Sequence, residues 1–317
     1  MASSEKPIFI VGVHRSGTTL LRYMLNSHPR IYIPPESDFI PRFFRRNPQQ
    51  ILSVGEVSRI LDIIFNQYRF VREWQGPALH VSDFPKGNLT PAKFLDTLYC
   101  TYAQQNDASR WGDKTPIYSS YVDMLAQLFT QAQFIHLIRD GRDVALSMLD
   151  KWGQQDFHID IYFAARNWVR RTRKAQMDGK HLGSERYYEI QYEDLVADPK
   201  YELGKICDFL NETYLPEMAQ PQKLARKTIE PGSFHDPLRE PPSIQRVARW
   251  RSEMQSEDLY LVQRVAGSLL QQLGYPLVEQ IQPSFTEYIR QVVLAGKYQI
   301  LQAGRNGMTF LGLKPPI

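Results

Sequence analysis

Two short stretches carry side chains whose types and spacing suit a grip on phosphate. The first, "GVHRSGTT" (12–19), keeps Gly12 and Gly17 five residues apart and follows them with Thr18 and Thr19. Glycines so placed let backbone N–H groups approach an anion, which the hydroxyls of Ser16, Thr18 and Thr19 can also meet. A nucleoside-triphosphate loop has lysine where Thr18 stands, and that lysine serves the outer phosphates. Here the cation is Arg15, inside the loop, so the cradle suits one phosphate better than three. The second stretch, "IRDGRDVALS" (138–147), sets Ser147 eight residues after Arg139. An arginine beside a hydroxyl can hold a second phosphate bidentately. The plainer reading of Arg139 is an ion pair with Asp143 or another acid.

These groups need a frame. "PIFIVGV" (7–13) is an apolar, β-branched run that predicts a strand buried on both faces, and "TTLLRYMLNSH" predicts a helix ended by Pro29. Strand, glycine turn and helix open an α/β fold with a parallel sheet. "AQFIHLI" (132–138) and "RYYEIQY" (186–192) predict two more strands. Arg139 then falls at a strand's C-terminal edge, where open sheets bind ligands. Mostly helical stretches are expected over 36–70 and 90–106, after Pro116, after Asp140 as N-cap, and over 159–177 and 256–276. Ser256 would cap the last helix, and Gly274 and Pro276 would stop it. A proline-rich loop, 229–251, is long enough to imply a function. The simplest division is one domain over 1–280 with a helical extension over 281–317, packed on that domain or on a second subunit.

A chain of 317 residues with 43% hydrophobic and 23% charged residues has the balance of an ordinary globular protein. A net charge of +4 is too mild to suggest nucleic acid or a membrane surface, but it suits a locally basic pocket. Cys100 and Cys207 show no metal-ligand spacing and are expected to be buried reduced thiols. "MASSEKPIFIVG" lacks the pattern of a leader, and no run reaches the roughly 18 apolar residues of a membrane span. The default expectation is a cytoplasmic protein.

The order and spacing of "HRSGTTLLRYMLNSHP", "WGDKTP" and "IRDGRDVALS" resemble those of sulfotransferases that use 3′-phosphoadenylyl sulfate (PAPS). The likeness spans most of residues 7–252 and is nearest to the tyrosylprotein and bacterial branch. It implies a P-loop-like three-layer α/β fold, with a central parallel sheet flanked by helices. It also implies transfer of a sulfuryl group from PAPS to a hydroxyl or amine, with release of 3′-phosphoadenosine 5′-phosphate (PAP). Carried over residue by residue, Arg15, Ser16, Gly17, Thr18 and Thr19 bind the 5′ side of the donor. Arg139 and Ser147 bind its 3′-phosphate, and Tyr192 of "YEDL" lies against the adenine. Glu36, 21 positions beyond Arg15, is the base. Lys114, with Arg15, stabilises the leaving phosphate in place of a metal. Ser243 and Arg249, ahead of Trp250, close over the cofactor, with Arg246 and Arg251 as neighbouring substitutes.

Two departures matter. Pro116 stands where the cytosolic small-molecule enzymes place a histidine, which leaves the base role to Glu36. Asp38 stands where the tyrosylprotein branch has an arginine for acidic peptides. The acceptor is left open among a small molecule, a lipid-like molecule and a peptide or glycan. Phe39, Phe43, Phe44, Phe65, Tyr68, Phe70 and Trp74 are expected to line its pocket or fill the core, within a wall formed by 38–90 and the tail after 281. His14, His80, His158 and His235 read as incidental and His136 as a core histidine. "RNWVRRTRK" (166–174) reads as a solvated helix face. A phosphotransferase on the same loop and a non-catalytic nucleotide-binding protein are the alternatives.

Overall fold

The run after Pro7 forms a strand because β-branched and aromatic side chains pack well on both sides of a pleated ribbon. In β1 (Ile8–Val11), Ile8 and Ile10 point to one face of the sheet and Phe9 and Val11 to the other. The fold is that of a computed structural model, which describes residues 6–67, 70–74, 78–153, 155–156, 158–233, 235–279 and 285–310. Its other strands are β2 (Ile31–Tyr32), β3 (Arg110–Lys114), β4 (Gln133–Ile138) and β5 (Tyr187–Gln191). They lie in the order β2-β3-β1-β4-β5, with every pairing parallel.

Parallel neighbours need crossovers, and helices supply them. The first half of the chain contributes α1 (Thr18–Leu25), α2 (Ile40–Phe44), α3 (Val54–Phe65), α4 (Pro91–Gln105), α5 (Val122–Leu128) and α6 (Gly141–Met148). The second half contributes α7 (Ile161–Lys180), α8 (Tyr192–Ala197), α9 (Pro199–Leu210), α10 (Gln222–Thr228), α11 (Trp250–Glu253), α12 (Ser256–Gln272) and α13 (Phe285–Phe310). Phe9, Val11 and Phe134 meet α3, α4 and α5 on one face, while Ile8, Ile10, Ile135 and Leu137 meet α1, α8 and α9 on the other. A third apolar cluster joins α6, α7 and α12. This is the expected three-layer P-loop-like architecture.

Several local expectations shift. The helix after Pro116 breaks into a 3-10 turn, Pro116–Ser120, and α5. α12 ends at Gln272, and Gln255 stands at its N-cap without a side-chain bond, so Ser256 does not cap it. β3 has no counterpart in the sequence reading. Its "RWGDK" is fully buried despite three charges, because partners from distant segments satisfy them. The Arg110 guanidinium donates to the Lys6 and Leu210 carbonyls at 2.8 and 2.7 Å and to Gln133 Oε1 at 2.6 Å.

The tail helix α13 packs against α7. Tyr298 is buried beside Phe163 and Tyr162, and Lys297 pairs with Asp160 at 2.7 Å. Arg290 also pairs with Asp258 of α12 at 2.8 Å. Among the described residues no helix is long and apolar enough to cross a membrane. Tyr68, residues 280–284 and those after 310 lie outside the described residues.

Candidate active site

Because all five strands run the same way, their C-terminal ends share one edge, and each delivers a chemically competent residue there. Arg15 lies just beyond β1 and Glu36 just beyond β2. Lys114 is the last residue of β3, Arg139 the first after β4, and Tyr192 the first after β5. All five line one cavity of about 1580 Å³. Ligand pockets commonly span about 300–1,000 Å³, so the volume suits more than one molecule at a time.

The glycine loop forms one end of the cavity. Gly17 takes φ +94°, and a Cβ there would lie 2.4 Å from the ring of Tyr192, so only glycine lets loop and ring meet. No side chain caps α1 at Gly17, and Gly17, Thr18 and Thr19 all line the cavity. The first-turn N–H groups of α1 thus belong to an anion-favouring helix end. Ser16, within the loop, is buried and is not among the lining residues. Arg15 itself sits in the left-handed region at φ +73°, a conformation disfavoured for a side chain and tolerated at ligand sites.

Cations crowd this end. Burial first, then the proximity of Arg139 and Arg246, pulls the Arg15 guanidinium down from 12.5 to about 10. Arg15 remains charged at neutral pH, among neighbours of its own sign. Its Nε donates to the Ser147 hydroxyl at 2.9 Å, so the two sequence stretches meet directly. Arg139 donates to the Arg15 carbonyl at 3.1 Å, to the Arg246 carbonyl and to Asp143 Oδ2 at 3.4 Å, and its guanidinium lies 4.6 Å from the Tyr192 ring centre. The plain ion pair with Asp143 therefore forms without withdrawing Arg139 from the cavity. Asp143 also accepts from the Ala248 and Trp250 amides at 2.8 and 2.9 Å, which pins the end of the proline-rich loop to α6.

Within that loop, Ser243 and Arg246 line the cavity. Arg249 is not among the lining residues: it pairs with Glu253, and with Asp150 at 3.2 Å, which turns it along α11. Arg251 lies 4.5 Å from the Trp250 ring.

Beside the loop, Lys114 Nζ lies 2.5 Å from Glu36 Oε1 and 3.2 Å from Thr19 Oγ1. The lysine side chain is 2% exposed and that of Glu36 is 22% exposed, so the carboxylate keeps its access to the cavity. Burial lowers the pKa of Lys114, and Glu36 opposes that shift.

The sequence reading missed three features of this site. His235 lines the cavity from the proline-rich loop. Although open to the cavity, it is enclosed enough that burial, then Lys114, brings it from 6.5 to about 4. Arg171 is buried within the supposedly solvated basic run, and its Nη1 lies 3.2 Å from Nδ1 of His14, another lining residue. Helical period alone could have flagged Arg171, which falls seven residues after Ala164 on the buried face of α7.

The aromatic wall is the third correction. Phe39, Phe44, Phe70 and Trp74 are buried in the core with Phe43 and Phe65 packed against them, and only Trp74 of this set lines the cavity. From 38–90, Glu73 and Trp74 alone contribute among the described residues, and nothing beyond Arg246 does. The far wall comes instead from α1, through Tyr23 and Asn26, and from Leu224, Ile229 and His235.

Residues 7–216 match the model of the sulfotransferase family. The chain belongs to that family. A protein-tyrosine sulfotransferase of Drosophila melanogaster is 24% identical over 84% of this chain and 51% of its own length. The omega-hydroxy-beta-dihydromenaquinone-9 sulfotransferase Stf3 of Mycobacterium bovis is 27% identical over 68% of this chain and 66% of its own. The solved sulfotransferase domain of the Synechococcus PCC 7002 olefin synthase superposes with a TM-score of 0.58 at 25% identity, covering 88% of this chain and 98% of that domain. A relative from Aquifex aeolicus, 28% identical over 65% of this chain, is matched over 25% of its own length, so this chain spans a quarter to about half of the longer relatives it matches. Within this sulfotransferase-family chain, no cluster of three or more His, Cys, Asp or Glu able to hold a metal occurs among the described residues. Cys207 is buried, whereas Cys100 is only half-buried; both are unpaired, and burial pushes the two thiols up to about 11 and about 12.

Proposed function

We propose that this chain transfers a sulfuryl group from PAPS to a hydroxyl acceptor and releases PAP. The observation that carries the reading is one cavity with two unlike sets of side chains meeting at a glycine loop. Arg15, Arg139 and Arg246 crowd one side of the loop, and Thr19 of the same loop meets a buried lysine that holds a carboxylate. Like charges packed together call for an anion with several negative groups, and a donor bearing phosphates at both ends of an adenosine meets that demand. Arg15, Ser16, Gly17, Thr18 and Thr19 would hold the 5′ phosphosulfate. Arg139, Ser147, Ser243 and Arg246 would serve the 3′-phosphate, with Tyr192 against the base. Arg249 would act on the loop through Glu253 and Asp150.

In the reaction, the acceptor oxygen forms a bond to sulfur as the bond from sulfur to the 5′-phosphate oxygen breaks. The acceptor proton passes to the Glu36 carboxylate, and the leaving phosphate takes the electron pair. Lys114, with Arg15, meets the charge growing on that oxygen, which is the role a metal plays in triphosphate chemistry. Glu36 can reach an acceptor because its side chain faces the cavity. The wall of Tyr23, Asn26, Trp74, Leu224 and Ile229 mixes apolar and amide groups. That suits a phenolic or lipid-like alcohol better than an acidic peptide, for which Asp38 is the wrong charge.

Thermal shift with PAP, ADP and AMP tests the donor assignment. Charge-assisted hydrogen bonds are worth about 1.5–3 kcal/mol each, so losing the 3′ contacts weakens ADP by roughly 10- to 100-fold relative to PAP. Equal stabilisation by ADP would overturn the reading and point to a phosphotransferase.

A further inference from the structure

A buried hydrogen-bond chain lies directly behind Glu36. Ser37, the next residue, is buried, and its hydroxyl donates to Asp113 Oδ2 at 2.7 Å. The Tyr118 hydroxyl is 2.6 Å from Ser37 Oγ and accepts from the Ile40 amide at 3.2 Å. Tyr99, from α4, donates to the same Asp113 oxygen at 2.5 Å. The Ser37 amide donates to Thr115 Oγ1 at 3.0 Å.

The proton order of this chain is fixed. Ser37 gives its one proton to Asp113, so the bond between Tyr118 and Ser37 takes its proton from Tyr118, whose oxygen also accepts from the Ile40 amide. The chain needs an acceptor at its end, and one Asp113 oxygen takes both hydroxyl donors. Burial raises the Asp113 carboxyl to about 6, which still leaves it ionised at neutral pH. Its other oxygen has no hydrogen-bond partner among the described residues.

The place of the chain in the fold gives it a use. Asp113 immediately precedes Lys114 on β3, and Ser37 immediately follows Glu36 on the β2 loop. The link from Ser37 to Asp113 therefore ties the same two segments as the ion pair between Glu36 and Lys114, through the neighbouring residue on each. The other end of the loop is clamped as well. The Ile33 amide donates to Asn26 at 2.8 Å, and Arg22 donates to the Ile33 carbonyl at 2.7 Å.

We infer that Asp113 and Ser37 are positioning residues, which hold Glu36 at the distance from Lys114 where it can take the acceptor's proton. The inference rests on Glu36 being the base. Without the link, the hydrogen bond from the Ser37 amide to Thr115 and the ion pair itself are left to hold the segment beside Glu36 to β3. Misplacement of a reacting group by about 1 Å can lower turnover by about 100-fold.

The test pairs Ser37→Ala with Glu36→Gln. PAP release from PAPS is followed with phenol as acceptor, and with water where phenol is not taken; PAP affinity is measured beside it. Ser37→Ala should lower kcat by about 10- to 100-fold and leave PAP affinity within twofold. In the Glu36→Gln background the same substitution should change kcat by less than twofold, since nothing is left to position. Tyr118→Phe, which removes the relay hydroxyl but keeps the ring, should follow the same pattern. An equal loss in both backgrounds, or unchanged kcat in Ser37→Ala, overturns the inference. Full turnover in Glu36→Gln by itself removes the base assignment, and this inference with it.

Discussion

Replacing Lys114 by methionine separates chemistry from stability. The ammonium is buried at the end of β3, 2.5 Å from Glu36, and burial already lowers its pKa. Holding such a charge away from water is unfavourable, and the ion pair offsets only part of that. Breaking a fully buried pair is usually destabilising by about 3–5 kcal/mol, because one charge is left without water or partner. Glu36 escapes that penalty: its side chain is 22% exposed and faces the cavity, so water replaces the lysine. Lys114→Met should therefore leave stability within about 1 kcal/mol of the parent. Transfer should behave otherwise. Loss of one preorganised group at the leaving oxygen is worth about 3–4 kcal/mol, or roughly a 100- to 1,000-fold fall in kcat. Affinity for the intact donor should change little, since Arg15 and Arg139 carry that contact, whereas PAP, whose 5′-phosphate bears the developed charge, should bind less tightly. Three measurements decide it: Tm, the PAPS concentration dependence of single-turnover transfer, and its limiting rate. A limiting rate within threefold of the parent, or a loss of rate that saturating PAPS restores, would refute the assignment of Lys114 to the transition state.

Gly17→Ala places a methyl group 2.4 Å from the Tyr192 ring at φ +94°, and should weaken PAP binding by more than tenfold while the apo protein still folds. Arg15→Gln removes a half-buried cation from beside Arg139 and Arg246. The apo Tm should hold or rise, and the stabilisation by PAP should shrink; a lower apo Tm would argue against the crowding. His235 titrates near 4 in the folded chain against 6.5 when free, so between those values the unfolded chain binds the extra proton. Stability should fall as pH drops from 6.5 towards 4, and the fall should be shallower in His235→Gln. Parallel Tm profiles for the two proteins would contradict that.

Much of the site was legible because each grip follows a strand that announces itself. "IFIV" and "FIHLI" are apolar and β-branched, so their ends, and with them Arg15 and Arg139, could be placed on one edge before any coordinates. β3 was not legible. "RWGDK" looks like a surface turn, and its burial depends on carbonyls at Lys6 and Leu210 that no local pattern reveals. Arg249 and Arg246 were equivalent by type and neighbourhood; the acids at Asp150 and Glu253 draw one aside and leave the other lining the cavity. The aromatics of 38–90 were ambiguous for the same reason, since packing and substrate contact ask for the same residue types.

What the sequence determined by itself is the local chemistry: glycine at the strained turn, hydroxyls after it, an arginine at a strand's end. These follow from backbone sterics and hydrophobic periodicity, which act over a few residues. Tertiary structure decided which distant groups share a dielectric and a distance. Glu36 meets Lys114 across 78 positions, Arg15 meets Ser147 across 132, and His235 enters from a loop with no periodic signal. Such pairings arise because parallel strands bring their C-terminal ends to one edge in spatial order, and that order is fixed by packing on both faces of the sheet.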